Sequence, residues 1–365
     1  MAVTVRGARP GQAQVEPASA RRLRPALVLV GAGMALVAAV LAGIWIGAYP
    51  LPPGAVVATL LDRGVGALTG GDVAGGLDPT GAAVLLELRL PRVLLAVLVG
   101  AGLACSGAAY QGVFRNPLAD PYLLGAAAGA GLGATLVIAY APSQTLGPVG
   151  VVPLAAFVGA LFGVGAALLL GTAAGGSQSA TLLLAGIAVA SFLAAAQTLV
   201  QQQNTEDLRE VYGWLLGQLG RAQWSDVGLV LPYLGTALLV LLFCGRPLDV
   251  LAVGDDEARS LGVHPGRLRL LVIVAASLAT AAAVAVSGLI GFVGLVVPHV
   301  ARRLIGSSYH YVLPASLLLG GAFLVLCDLV ARTVLAPAEL PIGVVTAFIG
   351  APFFAGLLWA GARRR

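Results

Sequence analysis

The sequence contains no lysine, so all 21 of its basic residues are arginines. A chain without lysine cannot contain the nucleotide-binding P-loop GxxxxGK[ST], whose lysine reaches the phosphates. If ATP drives this protein, a different subunit must bind it. The HExxH zinc motif and the GxSxG nucleophile elbow are also missing, which disfavours a membrane enzyme.

Charged residues of either sign are scarce. Only 10% of the chain is charged and 59% is hydrophobic, with a mean hydropathy of +0.95. Soluble domains are about 25% charged, so this composition indicates a protein dissolved in lipid. Apolar stretches near the roughly 20 residues needed to cross a bilayer recur along the chain.

The sequence therefore predicts an all-α polytopic membrane protein with about ten transmembrane helices. Glycine and proline interrupt many of the apolar stretches, which neighbouring helices tolerate in a membrane. The third stretch is rich in glycine and alanine, and the eighth is short. The predicted spans are 26–48, 91–113, 121–140, 151–171, 181–201, 227–244, 270–288, 289–304, 312–330 and 341–360.

The arginines orient these spans. If the first span begins inside, fifteen of the 21 arginines fall in segments on the cytoplasmic side, as the positive-inside bias expects. Both termini are then cytoplasmic. We expect a disordered tail over 1–25, a membrane domain over 26–361 and a basic C-terminus over 362–365. A cleaved signal peptide is the alternative for the N-terminal segment.

Few residues suit chemistry inside the membrane. Cys105, Cys244 and Cys327 lie singly in apolar spans, so they are expected to be small packing residues, and no metal site is predicted. No alternation of basic and aromatic residues suggests nucleic-acid binding. Asp328 and His299 fall near predicted span ends, although ion coupling normally requires ionisable groups at depth. An ion-coupled secondary transporter nevertheless stays open as an alternative.

Charge is concentrated in one segment, GDDEARSLGVHPGRLRL at 254–270, between spans six and seven. Acids fill the first turn of DDEARSL, where a helix dipole favours them, and Leu261-Gly262 suits a C-cap. PGRLRL predicts a second short helix after a turn. Two such helices would form a rigid polar knob for a cytoplasmic partner, and an ordinary solvated loop is the other interpretation.

Four long motifs resemble those of permeases in ABC importers for iron-siderophore complexes, haem and cobalamin, the FecCD-type family. They are LRLPRVLLAVLVGAGLACSGAAYQGVFRNPLADPYLLGAAAGAGLGA, GDDEARSLGV, GLIGFVGLVVPHVARRLIG and DLVARTVLAPAELPIGVVTAFIGAPFF. The resemblance covers about residues 26–361. Some of its short motifs look most like those of the cobalamin permease, but they are shared across the family and therefore do not identify the transported substrate. An oxyanion importer of the same family is a further alternative.

The resemblance implies roles for particular residues. The coupling loop, 250–269, would enter a cleft of the ATPase subunit through Asp255, Asp256, Glu257, Ala258, Arg259, Ser260, Leu261, Gly262 and Val263. The resemblance also implies that Arg89, Arg92 and Arg332 face outward and dock the substrate-binding protein. Pairing with Glu87, Asp328 or Glu339, or contact with lipid headgroups, is the alternative for these arginines.

The resemblance also implies a gate and a pathway. The turn Ser177, Gln178, Ser179 and Ala180 would narrow the cytoplasmic exit, with a plain Gly/Ser turn as the alternative. The fifth span would line the pathway through Ser191, Ala195, Thr198 and Gln202. The expected assembly is a homodimer in the bacterial inner membrane with two ATPase subunits and a substrate-binding protein. The chain itself would bind no cofactor, because ATP and Mg²⁺ belong to the ATPase.

An internal repeat is also predicted. Ser106-Gly107, Pro117 and Gly125 recur as Ser287-Gly288, Pro298 and Gly306, all at an offset of 181 residues. An offset of five spans would relate spans two to five and seven to ten as inverted repeats.

Overall fold

A computed structural model describes residues 18–47, 49–62, 76–141, 145–146, 149–174 and 179–362. These residues are helical apart from turns and a small hairpin, β1 (Thr145–Leu146) with β2 (Val149–Gly150). The α-helices are α1 (Ala18–Trp45), α2 (Pro53–Leu61), α3 (Pro79–Ala83), α4 (Leu90–Phe114), α5 (Ala126–Tyr140), α6 (Val151–Ala173), α7 (Ser179–Gln203), α8 (Leu208–Leu215), α9 (Trp224–Phe243), α10 (Gly245–Val253), α11 (Asp255–Ser260), α12 (Pro265–Ser287), α13 (Val293–Ile305), α14 (Tyr309–Thr333) and α15 (Ile342–Ala362).

The all-α membrane architecture is confirmed. In the described part of the chain, seven helices are long and apolar enough to cross a membrane. The predicted spans 121–140 and 289–304 correspond to α5 of 15 residues and α13 of 13 residues. At roughly 1.5 Å per residue, each is shorter than the bilayer's hydrocarbon core of about 30 Å. The count of ten spans stays a prediction.

Two predicted boundaries are wrong. Helix α1 begins at Ala18, so residues 18–25 of the predicted disordered tail are helical. The second span begins at Pro79 instead of 91, because α3 continues through a π-helical turn, Val84–Arg89, directly into α4. This continuous helix of 36 residues is about 54 Å long. Arg89, which precedes the predicted span, consequently lies within this helix.

Helix α4 occupies the centre of the protein, with every residue from Val99 to Phe114 buried. It packs against α14, α12, α13 and α9. The contact with α14 is made through backbone: a Cβ added at Gly100 would lie 2.2 Å from the carbonyl oxygen of Gly320. Only glycine allows so close an approach, as is common where membrane helices cross.

A second group of helices packs in the same manner. A Cβ added at Gly129 of α5 would lie 2.0 Å from the carbonyl oxygen of Gly159 in α6. Helix α7 lies against both α5 and α6. The glycine-rich composition therefore produces two tight helix groups, α4 with α14 and α5 with α6 and α7.

Polar contacts gather at two opposite ends of the helices. The C-terminus of α4 meets the segment before α12 through Arg115 and Asp255, and we name this the Arg115 end. The N-terminal part of the same long helix meets the C-terminal part of α14 through Arg92 and Asp328, which we name the Arg92 end. The predicted topology assigns the Arg115 end to the cytoplasm and the Arg92 end to the exterior.

The predicted repeat has partial structural parallels. Gly125 and Gly306 both have a positive φ, of 82° and 93°, although only Gly125 is in the left-handed helical region. Gly125 directly precedes α5, and α14 begins three residues after Gly306, at Tyr309. Pro117, however, lies in a turn, whereas Pro298 lies inside α13. The inverted-repeat relationship therefore stays a prediction.

Candidate coupling surface and translocation face

The charged segment forms one short helix, α11, over Asp255–Ser260. Its end is a Schellman motif: Gly262 has φ of 80°, its N–H donates to the Arg259 carbonyl, and the N–H of Val263 donates to the Ala258 carbonyl at 2.9 Å. The predicted helix and its glycine cap are therefore present. These two hydrogen bonds fix the direction in which the chain leaves α11.

The predicted second short helix at PGRLRL is wrong. Pro265 instead opens α12, which runs without interruption to Ser287. Proline suits this first helical position because its missing N–H would have no partner there, and the apolar run that follows continues the helix. The second short helix of the knob lies upstream of α11, at Gly245–Val253.

Asp255 connects α11 to two transmembrane helices. Its Oδ1 accepts from Arg269 of α12 at 2.7 Å and from Arg115, at the end of α4, at 2.5 Å. Arg115 also donates from Nε to the Leu251 carbonyl at 3.0 Å. The hydrogen bond from Arg269, followed by that from Arg115, holds the pKa of Asp255 below its ordinary value.

The rest of α11 divides into an inner and an outer side. Ala258 is fully buried, whereas the Asp256 side chain is 91% exposed. Arg259 pairs with Asp256 at 2.6 Å within the helix, and Leu261 is exposed beside them. A charged face with an adjoining apolar side chain thus projects away from the helices. The other exposed residues of this face are Glu257, Ser260 and Gly262, and Val263 is half-buried.

Asp249 is a structural residue of this end that the sequence reasoning missed. From α10, its carboxylate accepts from the Ser308 hydroxyl at 2.6 Å and from the backbone N–H groups of Tyr309 and His310. It therefore caps the N-terminus of α14, which has no cap of its own. No local sequence pattern could have shown this pairing, since the partners are about sixty residues apart.

Of the three arginines predicted to dock a binding protein, Arg89 and Arg332 are buried and Arg92 is partly exposed. Arg89 is buried and donates to the carbonyl groups of Ile44, Trp45 and Tyr49, at and just beyond the end of α1. Arg332, also buried, donates to the Gly43 carbonyl and lies 3.7 Å from Asp328. The structure brings the three arginines to one end, and the docking role stays a prediction.

Arg92 has taken the alternative partners that the sequence offered. Its Nε donates to Asp328 at 2.9 Å, and its two terminal nitrogens reach the two carboxylate oxygens of Glu339. The Arg92 side chain is 11% exposed and that of Glu339 is 44% exposed. The outer edge of this network is consequently open to solvent.

The predicted pathway residues share the exposed side of α7. They are small or polar and uncharged, and all four are exposed in the part of the chain that the structure describes. The same side also carries exposed Phe192 and Leu199. The four predicted residues are Ser191, Ala195, Thr198 and Gln202.

Of the predicted gate, Ser177 and Gln178 lie outside the described residues. Ser179 is the first residue of α7, and Ala180 is exposed. In the described ranges, no group of three or more His, Cys, Asp or Glu side chains is placed to hold a metal ion. The three cysteines are free and buried.

Apolar spanning helices, a rigid charged knob at one end and an exposed uncharged helix face are the features of a multi-pass membrane transport protein. The chain belongs to the FecCD transport family, which it matches over residues 35–360. The family resemblance predicted from its motifs is thereby confirmed. A protein of this family and architecture resides in the inner membrane.

The proteins that this chain resembles are named for different transported substrates. The chain is 43% identical to the cobalamin import permease of Halobacterium salinarum over 78% of this chain and 75% of that protein. It is 38% identical to an Fe(3+)-citrate import permease of Bacillus subtilis, over 94% and 98% of the two chains. Identity to a hemin transport permease of Yersinia pestis is 42%, over 77% and 84%.

A solved structure shares the fold over nearly the whole chain. It is described as an inward-facing conformation of a metal-chelate type ABC transporter, and it superposes with a TM-score of 0.78 at 32% identity. The match covers 92% of this chain and 99% of the other.

Proposed function

We propose that this chain is the permease subunit of an ATP-driven ABC importer for a metal chelate. Two copies form the translocation pathway, two ATPase subunits bind the Arg115 end, and a substrate-binding protein delivers cargo to the Arg92 end. ATP and Mg²⁺ are bound by the ATPase, and this chain makes and breaks no covalent bonds. Family membership supports this proposal, as do the relatives named as permeases.

The observation that carries the proposal is the geometry of α11. A docking element for a motor protein must be exposed on one side and fixed on the other, since a loose loop would absorb the movement. Asp256 and Arg259 provide the exposed side. Buried Ala258, the Gly262 cap and the ion pairs of Asp255 provide the fixed side.

The exposed side of α7 supports a pathway between two copies. Ser191, Thr198 and Gln202 offer hydroxyl and amide groups without charge, which suit a bulky chelate that must pass without being held. Phe192 and Leu199 on the same side supply apolar area for a second copy. The gate at 177–180 would close this pathway toward the ATPase.

The substrate-binding protein would meet the Arg92 end. An incoming carboxylate can exchange with Glu339, which is partly exposed, and thereby reach Arg92. Arg89 and Arg332 would first have to leave the carbonyl groups of α1, so docking through them requires a rearrangement of this end.

Reconstitution in vesicles tests the proposal. The purified permease, the ATPase and the binding protein are assembled, and uptake of ferric citrate, hemin and cobalamin is measured with and without ATP. We expect ATP-dependent uptake of one of these chelates and ATP hydrolysis that rises with the loaded binding protein. Uptake that follows an ion gradient without an ATPase would overturn the proposal and favour a secondary transporter.

A further inference from the structure

We propose that Asp255 is a positioning residue that joins the coupling helix to the transmembrane helices, and not a residue that contacts the ATPase. Arg115 and Arg269 are its two partners in this role. The inference rests on the proposed function and deepens it, because it separates the residues of α11 that receive force from the one that passes force on.

The neighbouring carboxylates Asp255 and Asp256 have opposite surroundings. Asp256 is 91% exposed, and its ion pair among the described residues lies within its own helix, with Arg259. Asp255 is 31% exposed, and its Oδ1 is shared by guanidinium groups from two other helices. Because Oδ1 is already engaged within this chain, the Asp255 carboxylate is less available to another protein than that of Asp256.

The backbone of Arg115 is held in an unusual conformation. Arg115 follows the last residue of α4 and has a left-handed backbone conformation, with φ of 48°, which is unusual for a residue other than glycine. Such strain persists where surrounding contacts fix it. Here the side chain is fixed by two acceptors, the Leu251 carbonyl at the end of α10 and Asp255 at the start of α11.

Arg115 and Arg269 both approach one carboxylate oxygen, so their guanidinium groups lie close together and would repel each other without it. Asp255 therefore binds α4 and α12 to the coupling helix at one point. A displacement of α11 by the ATPase then moves the cytoplasmic ends of α4 and α12 together.

The experiment compares Asp255→Asn with Arg303→Gln, a substitution at an exposed arginine of the same end. Both permeases are assembled with the ATPase and binding protein. Three quantities are measured: co-purification of the ATPase, the ratio of substrate transported to ATP hydrolysed, and hydrogen exchange of the segment 255–263. Arg115→Gly provides a second variant, because glycine relieves the left-handed strain while removing the side chain.

We expect Asp255→Asn and Arg115→Gly to retain the ATPase, since the exposed face of α11 is unchanged. The transport ratio should fall about tenfold, within the usual range of coupling energies between sites. Exchange in 255–263 should quicken by a similar factor, and Arg303→Gln should change neither quantity.

Loss of ATPase binding in Asp255→Asn with normal exchange would overturn the inference, because it would make Asp255 a contact residue. An unchanged transport ratio in both variants would overturn it as well. Failure of the proposed function gives a different result, namely a wild-type chain that neither retains an ATPase nor shows ATP-dependent uptake.

Discussion

Arg92 and Glu339, separated by 247 positions in the sequence, form a two-pronged ion pair in which Nη1 donates to Oε1 at 2.7 Å and Nη2 to Oε2 at 2.9 Å. The Nε of the same guanidinium donates to Asp328. One arginine of α4 thus binds both the end of α14 and the segment that leads into α15.

The two carboxylates should differ in their effect on stability. Asp328 is 2% exposed and Glu339 is 44% exposed. We expect Asp328→Asn to cost about 3 kcal/mol by leaving Arg92 and Arg332 poorly neutralised, and Glu339→Gln to cost less than about 1 kcal/mol. Thermal unfolding in detergent is followed with a thiol-reactive dye, which reaches the buried cysteines only after unfolding. Equal losses for the two variants would contradict this account.

The close crossing of α4 and α14 predicts that one added methyl group strongly lowers the stability of the protein. Gly100→Ala would place a Cβ 2.2 Å from the Gly320 carbonyl oxygen, so the two backbones would have to separate. We expect loss of stability by several kcal/mol or failure to fold, measured in the same thermal assay. Gly31→Ala is the matched control, since nothing lies within 4 Å of a Cβ there. Equal thermal stability of the two variants would show that α4 and α14 are not in close backbone contact.

Removal of the Asp249 carboxylate, which caps α14 from another helix, should loosen the start of α14. Asp249→Ala leaves the Tyr309 and His310 N–H groups and the Ser308 hydroxyl without their acceptor. We expect a loss of about 1–2 kcal/mol, as for other helix caps. Hydrogen exchange across 308–313 should quicken, while exchange in α12 stays unchanged. Arg246→Gln, an exposed change on the same helix α10, should leave both segments protected.

The ion pairs of Asp255 predict a defined pH dependence. The arginines lower the pKa of this carboxyl below its ordinary value of 3.8. A depressed pKa stabilises the folded state above the unfolded pKa, and this stabilisation disappears as the pH falls through the folded pKa. A nitroxide on Ser260→Cys should therefore remain immobile from pH 7 to pH 5 and become mobile only below the ordinary carboxyl range.

The same label in an Asp255→Asn background supplies the control. It should be mobile throughout that pH range, because the amide carries no negative charge at any pH and cannot form the ion pairs with Arg115 and Arg269. A mobility transition near neutral pH in the otherwise unchanged protein would indicate a different titrating group.

The pathway proposal predicts a cross-link between copies. In a homodimer joined across α7, exposed Ala195 of the two copies would lie close together, so Ala195→Cys should form a disulfide-linked dimer on mild oxidation. The native cysteines are buried and should not contribute to this cross-link. Met34→Cys, on the exposed side of α1, is the lipid-facing control and should stay monomeric. Equal cross-linking at both positions, or none at Ala195, would contradict the arrangement.

Composition and local pattern predicted the features that depend on neighbouring residues. Apolar runs gave the membrane-spanning architecture, and four long motifs gave the family, both of which are confirmed. The acid-rich first turn and Gly262 gave α11 and its cap, since both signals lie within nine residues.

Features that depend on distant partners could not be predicted in this way. The positive-inside rule assigns Arg89 and Arg332 to a side of the membrane, but it cannot show that their donors reach carbonyl groups of α1. The sequence offered Asp328 and Glu339 as alternative partners for Arg92, and only the fold selected them. The second short helix was predicted wrongly because the pattern PGRLRL, which begins at Pro265, suits both a short helix and the first turn of a long one.

The bare backbone contact between Gly100 and Gly320 leaves no layer of side chains in which α4 and α14 could slip past one another. We therefore expect these two helices to move together, and likewise α5 and α6, which meet in the same way at Gly129 and Gly159. In the importer proposed above, we therefore expect the pathway to open and close by a change in the angle between these two helix pairs, with each helix keeping its own shape.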